Sequence, residues 1–438
     1  MKRKNYYILC FVFLVGIIIS QNNLPSSPKV WKHVILINGT AHIGNGQIIE
    51  SSYVAFLDGK IEMVSESKGI RLNPAAYDTV IDITGKHIYP ALISTNNILG
   101  LQEAEMIRPT SDFNEVGFIN PHVRSLIAYN TDSKILPTVK TNGVLYTQCT
   151  PRSGLISGSS SIMATEGWNW EDAVLKADDG IHVNFPKSIQ KNGWWGETAP
   201  STKNNKYDEE ILVLNKFFED AKAYCNSPAG SLESNLRFEA MRGIFSGSQN
   251  LYLHADYVKD IILSVNFAKK YEVKKPVLVG GKDSWKTTKL LKDNSIPVML
   301  CRINDLPDYA EDDVDILFRI PALLQNDSVL FCLQLAGDME AMQTRNLPFL
   351  AGETSAYGLT KEQALQSVTL NAAKILGIDS KLGSIELGKI ASLVISDGDL
   401  LDIKTNNVIL AFISGKPIKL INDQQLLYEK YKTKYGVK

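Results

Sequence analysis

The stretch LYLHADYVKDIILSVNFAKKYEVKKPVLVGG (251–281) reads as strand, helix, strand. LYLHAD is an apolar run of strand length, DYVKDIILSVNFAKKYE carries apolar residues at helical spacing, and PVLVGG is a second buried strand ending in glycines. Two buried strands joined through a helix make a βα unit of a parallel sheet. Outward from this unit, GVLYTQCT, IPVMLC and SVLFCLQLAGD add strands of the same kind, while DSWKTTKLLKDN and LTKEQALQSVTLNAAKILG add helices. The alternation runs over about 91–383. It suits a doubly wound sheet or a closed (β/α) barrel, and composition does not choose between them.

Short β segments flank this interior on both sides. HVILING, QIIESSYVAFLDGKIEMVSE and TVIDITGKHIYP precede it, with Asp58-Gly59 between two apolar runs as a hairpin signal. SIELGKIASLVISDG and NVILAFISGKPIKL follow it in the same idiom. Residues 184–206, rich in Asn, Lys, Gly and Trp, read as a long loop over one face.

The chain has 438 residues, with 46 Lys+Arg against 47 Asp+Glu. That is ample for a sizeable core. A net charge of −1 leaves no electrostatic footprint for nucleic acid. Residues 1–20, MKRKNYYILCFVFLVGIIIS, have a basic start and an apolar middle, which predicts a secretory signal peptide and an exported, periplasmic or secreted protein. The apolar run is short for a spanning helix, so no membrane association is expected beyond this segment. Cys149, Cys225, Cys301 and Cys332 have no close pairing, and are read as single buried thiols.

GKHIYPALISTNNILGL (85–101) resembles the entry into the first barrel strand of the amidohydrolase superfamily, nearest its imidazolonepropionase-like branch. LTKEQALQSVTLNAAKILGIDSKLGSIELGKIASLVISDGDLLD (359–402) resembles that family's last barrel helix and return strands. The resemblance implies a TIM-like (β/α)8 barrel at 89–383 inserted in a small β-sandwich composed of 30–88 and 384–422, with 423–438 as a tail. It also implies one or two divalent metals, commonly zinc, at the barrel mouth, whose bound water attacks a non-peptide C–N bond. The family's ligands are a His-x-His pair on the first strand, one His on each of the fifth and sixth strands, and an Asp on the eighth. Residues two apart on a strand point the same way, so a His-x-His pair faces the axis together.

Against this pattern the chain is depleted. Asn96 and Ile98 stand at the first-strand ligand positions, and Gly281, after Gly280, at the sixth-strand one. An amide is a poor zinc ligand and an Ile side chain is none. His254 matches the fifth-strand ligand and Asp338 the eighth-strand Asp, while Ala164 falls where some relatives carry a bridging Lys. Two ligands fall short of the three that a catalytic zinc takes besides its water, so any metal is expected to be weakly bound or absent. Of the other histidines, His33, His42, His87, His122 and His182 are read as surface or packing residues. His122 and Arg124, in the connection after the first strand, and Arg152, in the Gly/Ser-rich TPRSGLISGSSS (150–161), are the candidates for binding an anionic group.

Two functional expectations follow. The first is an exported C–N hydrolase in which Asp338 activates water as a base and His254 polarises the substrate or ligates a weakly held metal. The second is a catalytically inactive member that binds a small molecule or pairs with an active relative, as a homodimer or heterodimer. If only the missing ligands prevent metal binding, Asn96→His with Ile98→His should raise zinc affinity.

Overall fold

The computed structural model describes residues 31–190, 202–228 and 233–436. The proposed signal segment and part of the 184–206 loop lie outside these residues. Strands β1 (His33–His42), β2 (Ile48–Leu57), β3 (Lys60–Glu66), β4 (Thr79–Asp82) and β5 (His87–Pro90) precede the barrel. The Asp58-Gly59 turn joins β2 to β3 in antiparallel register, with Leu57 opposite Lys60.

The barrel consists of β6 (Leu92–Asn97), β7 (Val144–Cys149), β8 (Ile156–Ala164) and β9 (Val174–Asn184). After a short ribbon of β10 (Ile189–Gln190) and β11 (Thr202–Lys203) come β12 (Asn250–Ala255), β13 (Pro276–Gly280), β14 (Val298–Leu300) and β15 (Phe331–Leu333). The eight barrel strands lie side by side in chain order, and a bridge between Thr95 and Gln334 joins the last to the first. One strand departs from the expected all-parallel pattern: β8 is antiparallel to both β7 and β9. The link from β7 to β8, residues 150–155, is too short for a helical crossover, and a connection of that length can only reverse the chain. Ala164 consequently pairs with Tyr146 near the closed end of the barrel, away from the mouth, which corrects its reading as a ligand position.

Helices at Val258–Lys270 and Ile316–Asn326 cover the barrel with their apolar faces inward. The apolar run at 359–377 forms two helices, Lys361–Ser367 and Leu370–Leu376, instead of one. The chain then returns through β16 (Leu393–Ser396), β17 (Val408–Ile413) and β18 (Lys416–Pro417), where β16 pairs with β5 and so joins both chain ends in one eight-stranded sheet. The sheet curls until Ile61 N donates to Lys389 O at 2.9 Å and Ala391 N to Gly59 O at 2.8 Å. It encloses a second core of Val34, Leu36, Phe56, Ile88, Ile395 and Phe412. The segment read as a tail is a helix, Asp423–Tyr435, opened by an Asn422 capping box. Cys149, Cys301 and Cys332 are buried thiols, and Cys225 is half-buried.

Phe412 is fully buried, with its ring 5.1 Å from that of Phe56. Phe412→Ala is expected to cost about 3–5 kcal/mol through lost burial and the cavity left behind, measured as a lowered urea midpoint.

Candidate functional site

The barrel axis is filled by a continuous polar network centred on Asp179, a fully buried carboxylate on β9. Three donors converge on it: Ser160 Oγ at 2.6 Å, Tyr252 OH at 2.5 Å and Gln148 Nε2 at 3.0 Å. Burial pushes the Asp179 carboxyl up, and these hydrogen bonds oppose it. Tyr252 also accepts from Asn250 Nδ2 at 2.9 Å, which leaves its own proton for Asp179. Burial, reinforced by the adjacent Asp179, raises the Tyr252 phenol well above its ordinary value and keeps it neutral.

The same logic fixes two histidines. Ser160 has one hydroxyl proton, directed at Asp179, so its oxygen accepts from Gln148 Nε2 at 3.1 Å and from His182 Nε2 at 2.8 Å. His182 is then the Nε2–H tautomer, and its Nδ1 accepts from His254 Nε2 at 2.9 Å. Burial, with the charges of Arg152 and Lys187, lowers His254 to about 3. Burial, His254 and Arg152 hold His182 well below its usual value. Both rings are neutral donors and acceptors at neutral pH. His182 also stacks on Tyr252 at 4.4 Å between ring centres.

His182 was read as a packing or surface residue, and the structure makes it the direct partner of His254. The available signal was its place inside the run IHVNF, where flanking Ile181 and Val183 mark a strand.

On the other side of the axis, Asn96, the next-to-last residue of β6, has a left-handed backbone (φ 47°). Its N–H donates to Gln148 Oε1 at 2.9 Å and its Nδ2 to Gln334 Oε1 at 3.2 Å. Arg152 reaches over it, with Nη1 to Asn96 Oδ1 at 2.5 Å and Nη2 to Asn96 O at 2.9 Å. Nη2 also meets Glu340 Oε1 at 2.9 Å. Glu340 further accepts from the N–H groups of Ile98 at 3.0 Å and Gly337 at 2.8 Å. Ile98 itself is buried in the barrel core.

Asp338 requires a correction. Its side chain lies in the exposed loop past β15, and its carbonyl oxygen accepts from Arg302 Nη2 at 3.0 Å. The carboxylate that this connection brings to the mouth is Glu340, because Met339 adopts a left-handed backbone (φ 55°) and turns the chain between them. His254 and Asp338 are therefore not joined as a pair in the network described. His122 is exposed. Arg124 is also at the surface and is held by Asp178 (Nη2 to Oδ2, 2.7 Å), so its charge is already partnered.

The residues present do not fit the family's metal. Asn96 is tied to Arg152 and Gln334, Ile98 is packed in the core, and His254 Nε2 is spent on His182. Gly281 has φ 65°, and a Cβ there would lie 3.2 Å from Leu278, Ser284 and Val298, so a His is strained at that position as well as crowded. Among the described residues, no three His, Cys, Asp or Glu side chains gather as a metal-ion set. A cleft of about 410 Å³ opens where the connections after β9, β12, β13 and β14 meet, lined by Lys187, Gln190, Asp256, Tyr257, Lys282 and Asp308. Lys282 is held between Asp305 at 3.0 Å and Asp308 at 3.1 Å, while Lys187 meets Asp256 only at 3.6 Å.

Residues 250–418 match the Amidohydrolase family. A segment of 41 residues is 56% identical to imidazolonepropionase from Shewanella frigidimarina, covering 9% of this chain and 10% of that one. A segment of 85 residues is 32% identical to 5-methylthioadenosine/S-adenosylhomocysteine deaminase from Symbiobacterium thermophilum, covering 18% and 19%. The matched segments thus span at most about a fifth of these relatives. A crystal structure of an amidohydrolase from Thermotoga maritima superposes with a TM-score of 0.74 at 24% identity over 88% of this chain and 99% of that one, which shows the shared fold. The family match thus covers the second half of the barrel and the return strands, and the fold over 88% of the chain is that of an amidohydrolase.

Proposed function

We propose that this chain is an amidohydrolase-superfamily member that has exchanged its metal centre for a fixed polar network and binds a small molecule at the barrel mouth without metal-activated hydrolysis. The observation that carries the reading is how three of the positions read as ligand positions are occupied. Asn96 is bound to Arg152, Ile98 is packed in the core, and His254 is hydrogen-bonded to His182. The open cleft beside Asp256 and Tyr257, two and three residues past His254, offers the volume for a ligand.

A C–N hydrolase remains the second reading, favoured by the local identity to imidazolonepropionase. In that reading Asp338 would act from the exposed loop past β15. The basic and apolar residues at 1–20 support export to the periplasm or outside the cell. No described helix is long and apolar enough to cross a membrane.

Metal analysis and zinc titration of the purified chain test the proposal, with less than 0.1 equivalent of zinc expected by mass spectrometry as an order-of-magnitude bound (~0.1) for weak sites. Stoichiometric metal lost in His254→Ala would overturn it. The restoring pair Asn96→His with Ile98→His is expected to give no gain in zinc affinity, because the cavity is remodelled and not merely short of ligands.

Asp179→Asn, which puts an amide N–H₂ against donors, should cost about 1–3 kcal/mol in urea unfolding. The histidines supply a pH signature. Both are held below their ordinary pKa in the folded chain, so the unfolded chain binds more protons as pH falls from ~6.5 toward 3. Stability that is present above ~6.5 is therefore lost across that window. The urea midpoint should fall between pH 7 and pH 4.5, and His254→Gln should flatten that slope; an unchanged slope would contradict the neutral-pair assignment.

A further inference from the structure

The mouth of this barrel carries a cation of its own. Arg152 hydrogen-bonds both the side chain and the backbone of Asn96, the residue at a first-strand ligand position, and it pairs with the buried Glu340. Its backbone is clamped: Arg152 N donates to Phe113 O at 2.7 Å and Ser153 Oγ to Glu115 O at 3.1 Å. Gly154 follows with φ 65°, and a Cβ there would meet Gly117 O at 2.9 Å and Phe118 O at 2.8 Å. The 150–155 reversal is thus pressed against the 113–118 loop, which fixes where the guanidinium sits.

A guanidinium has five N–H bonds. Three are used here, two on Nη2 and one on Nη1. Nε–H and the second Nη1–H have no protein acceptor among the described residues, and the side chain is 22% exposed. Glu340 offsets the charge on one side only. Arg152 and Lys187 both act electrostatically on His254, so the field at that ring is positive.

We infer that Arg152 is a built-in replacement for the charge of the lost metal, and that its two unused N–H groups receive a carboxylate oxygen of a small organic acid at the barrel mouth. The inference rests on the small-molecule reading above and adds the chemical class. A carboxylate suits the site because a charge-assisted hydrogen bond to guanidinium is stronger than a neutral one. Arg152 is a binding residue in this account, and no bond-making step is assigned to it.

The test is ligand-observed NMR or calorimetry on the full mature chain, with N-acetylglycine as the probe and uncharged N-acetylglycinamide as its control. The acid should bind at least five-fold more tightly than the amide, and Arg152→Gln should remove that preference. Glu340→Gln, which frees the guanidinium of its carboxylate partner, should tighten the acid several-fold, a direction that a purely structural role for Arg152 would not produce. Equal binding of acid and amide, or tightening absent in Glu340→Gln, would overturn the inference. Preference lost in Lys187→Gln but kept in Arg152→Gln would place the carboxylate in the neighbouring cleft, overturning the Arg152 assignment while leaving the small-molecule reading intact. Failure of that reading would show separately, as stoichiometric metal.

Discussion

A carboxylate buried without a directly bonded cation must be answered by hydrogen bonds, and Asp179 imposes that condition on the whole barrel interior. Ser160, Gln148 and Tyr252 satisfy it from β8, β7 and β12, so one charge ties together three strands besides its own. The Ser160 and Tyr252 hydroxyls each spend their one proton on Asp179 and accept elsewhere. That requirement runs through Ser160 to His182 and from His182 to His254, setting the tautomer of each ring. The antiparallel β8 matters for this reason. Reversal of the chain after β7 puts Ser160 opposite Gly180, next to Asp179, and a helical crossover would have delivered a different face.

The second half of the interior is built on strain. A left-handed backbone at a non-glycine residue costs of order 1 kcal/mol and persists only where its surroundings enforce it. At Asn96 they do: Gln148 holds its N–H, Arg152 its two oxygens, and Gln334 its amide nitrogen. The two halves meet at Gln148, which bonds Asp179 and Ser160 through Nε2 and Asn96 through Oε1. Apart from two N–H groups of Arg152, the polar groups named here have their partners, which is the condition under which a buried polar core specifies one arrangement and avoids a penalty.

Much of this was legible in the sequence, and the reasons for the misses are local. The parallel βα alternation could be read because LYLHAD and PVLVGG are continuous apolar runs on either side of a helix, a pattern that buried parallel strands require, while closure into a barrel was implied only by the resemblance at 85–101 and 359–402. That Asn96, Ile98 and Gly281 bring no imidazole to the positions read as ligand positions was visible because ligand chemistry depends on residue type at fixed spacing. The antiparallel turn at 150–155 was missed because Gly/Ser-rich sequence is compatible with many loops. Asp338 rested on the match to the family's eighth-strand Asp, and the left-handed Met339 that turns the chain so that Glu340 faces the mouth leaves no mark in composition. His182 escaped because its importance is a matter of pairing across strands, with Tyr252 opposite it in register.

A divalent ion is commonly the largest charge in its site and sets the protonation of everything near it. A barrel built around such an ion cannot shed it and leave its carboxylates and imidazoles as they were, since each would then face burial without a counter-charge. In this interior the electrostatic work falls to several groups. Neutral donors carry Asp179, the guanidinium of Arg152 carries Glu340, and the histidines are held uncharged by burial and by the same guanidinium. His254 is accordingly a member of a hydrogen-bonded pair whose chemistry is set by His182 on one side and positive charge on the other. A retained ligand residue in a barrel of this family is evidence of shared ancestry in the fold, while its function is decided by which neighbour now holds its nitrogen.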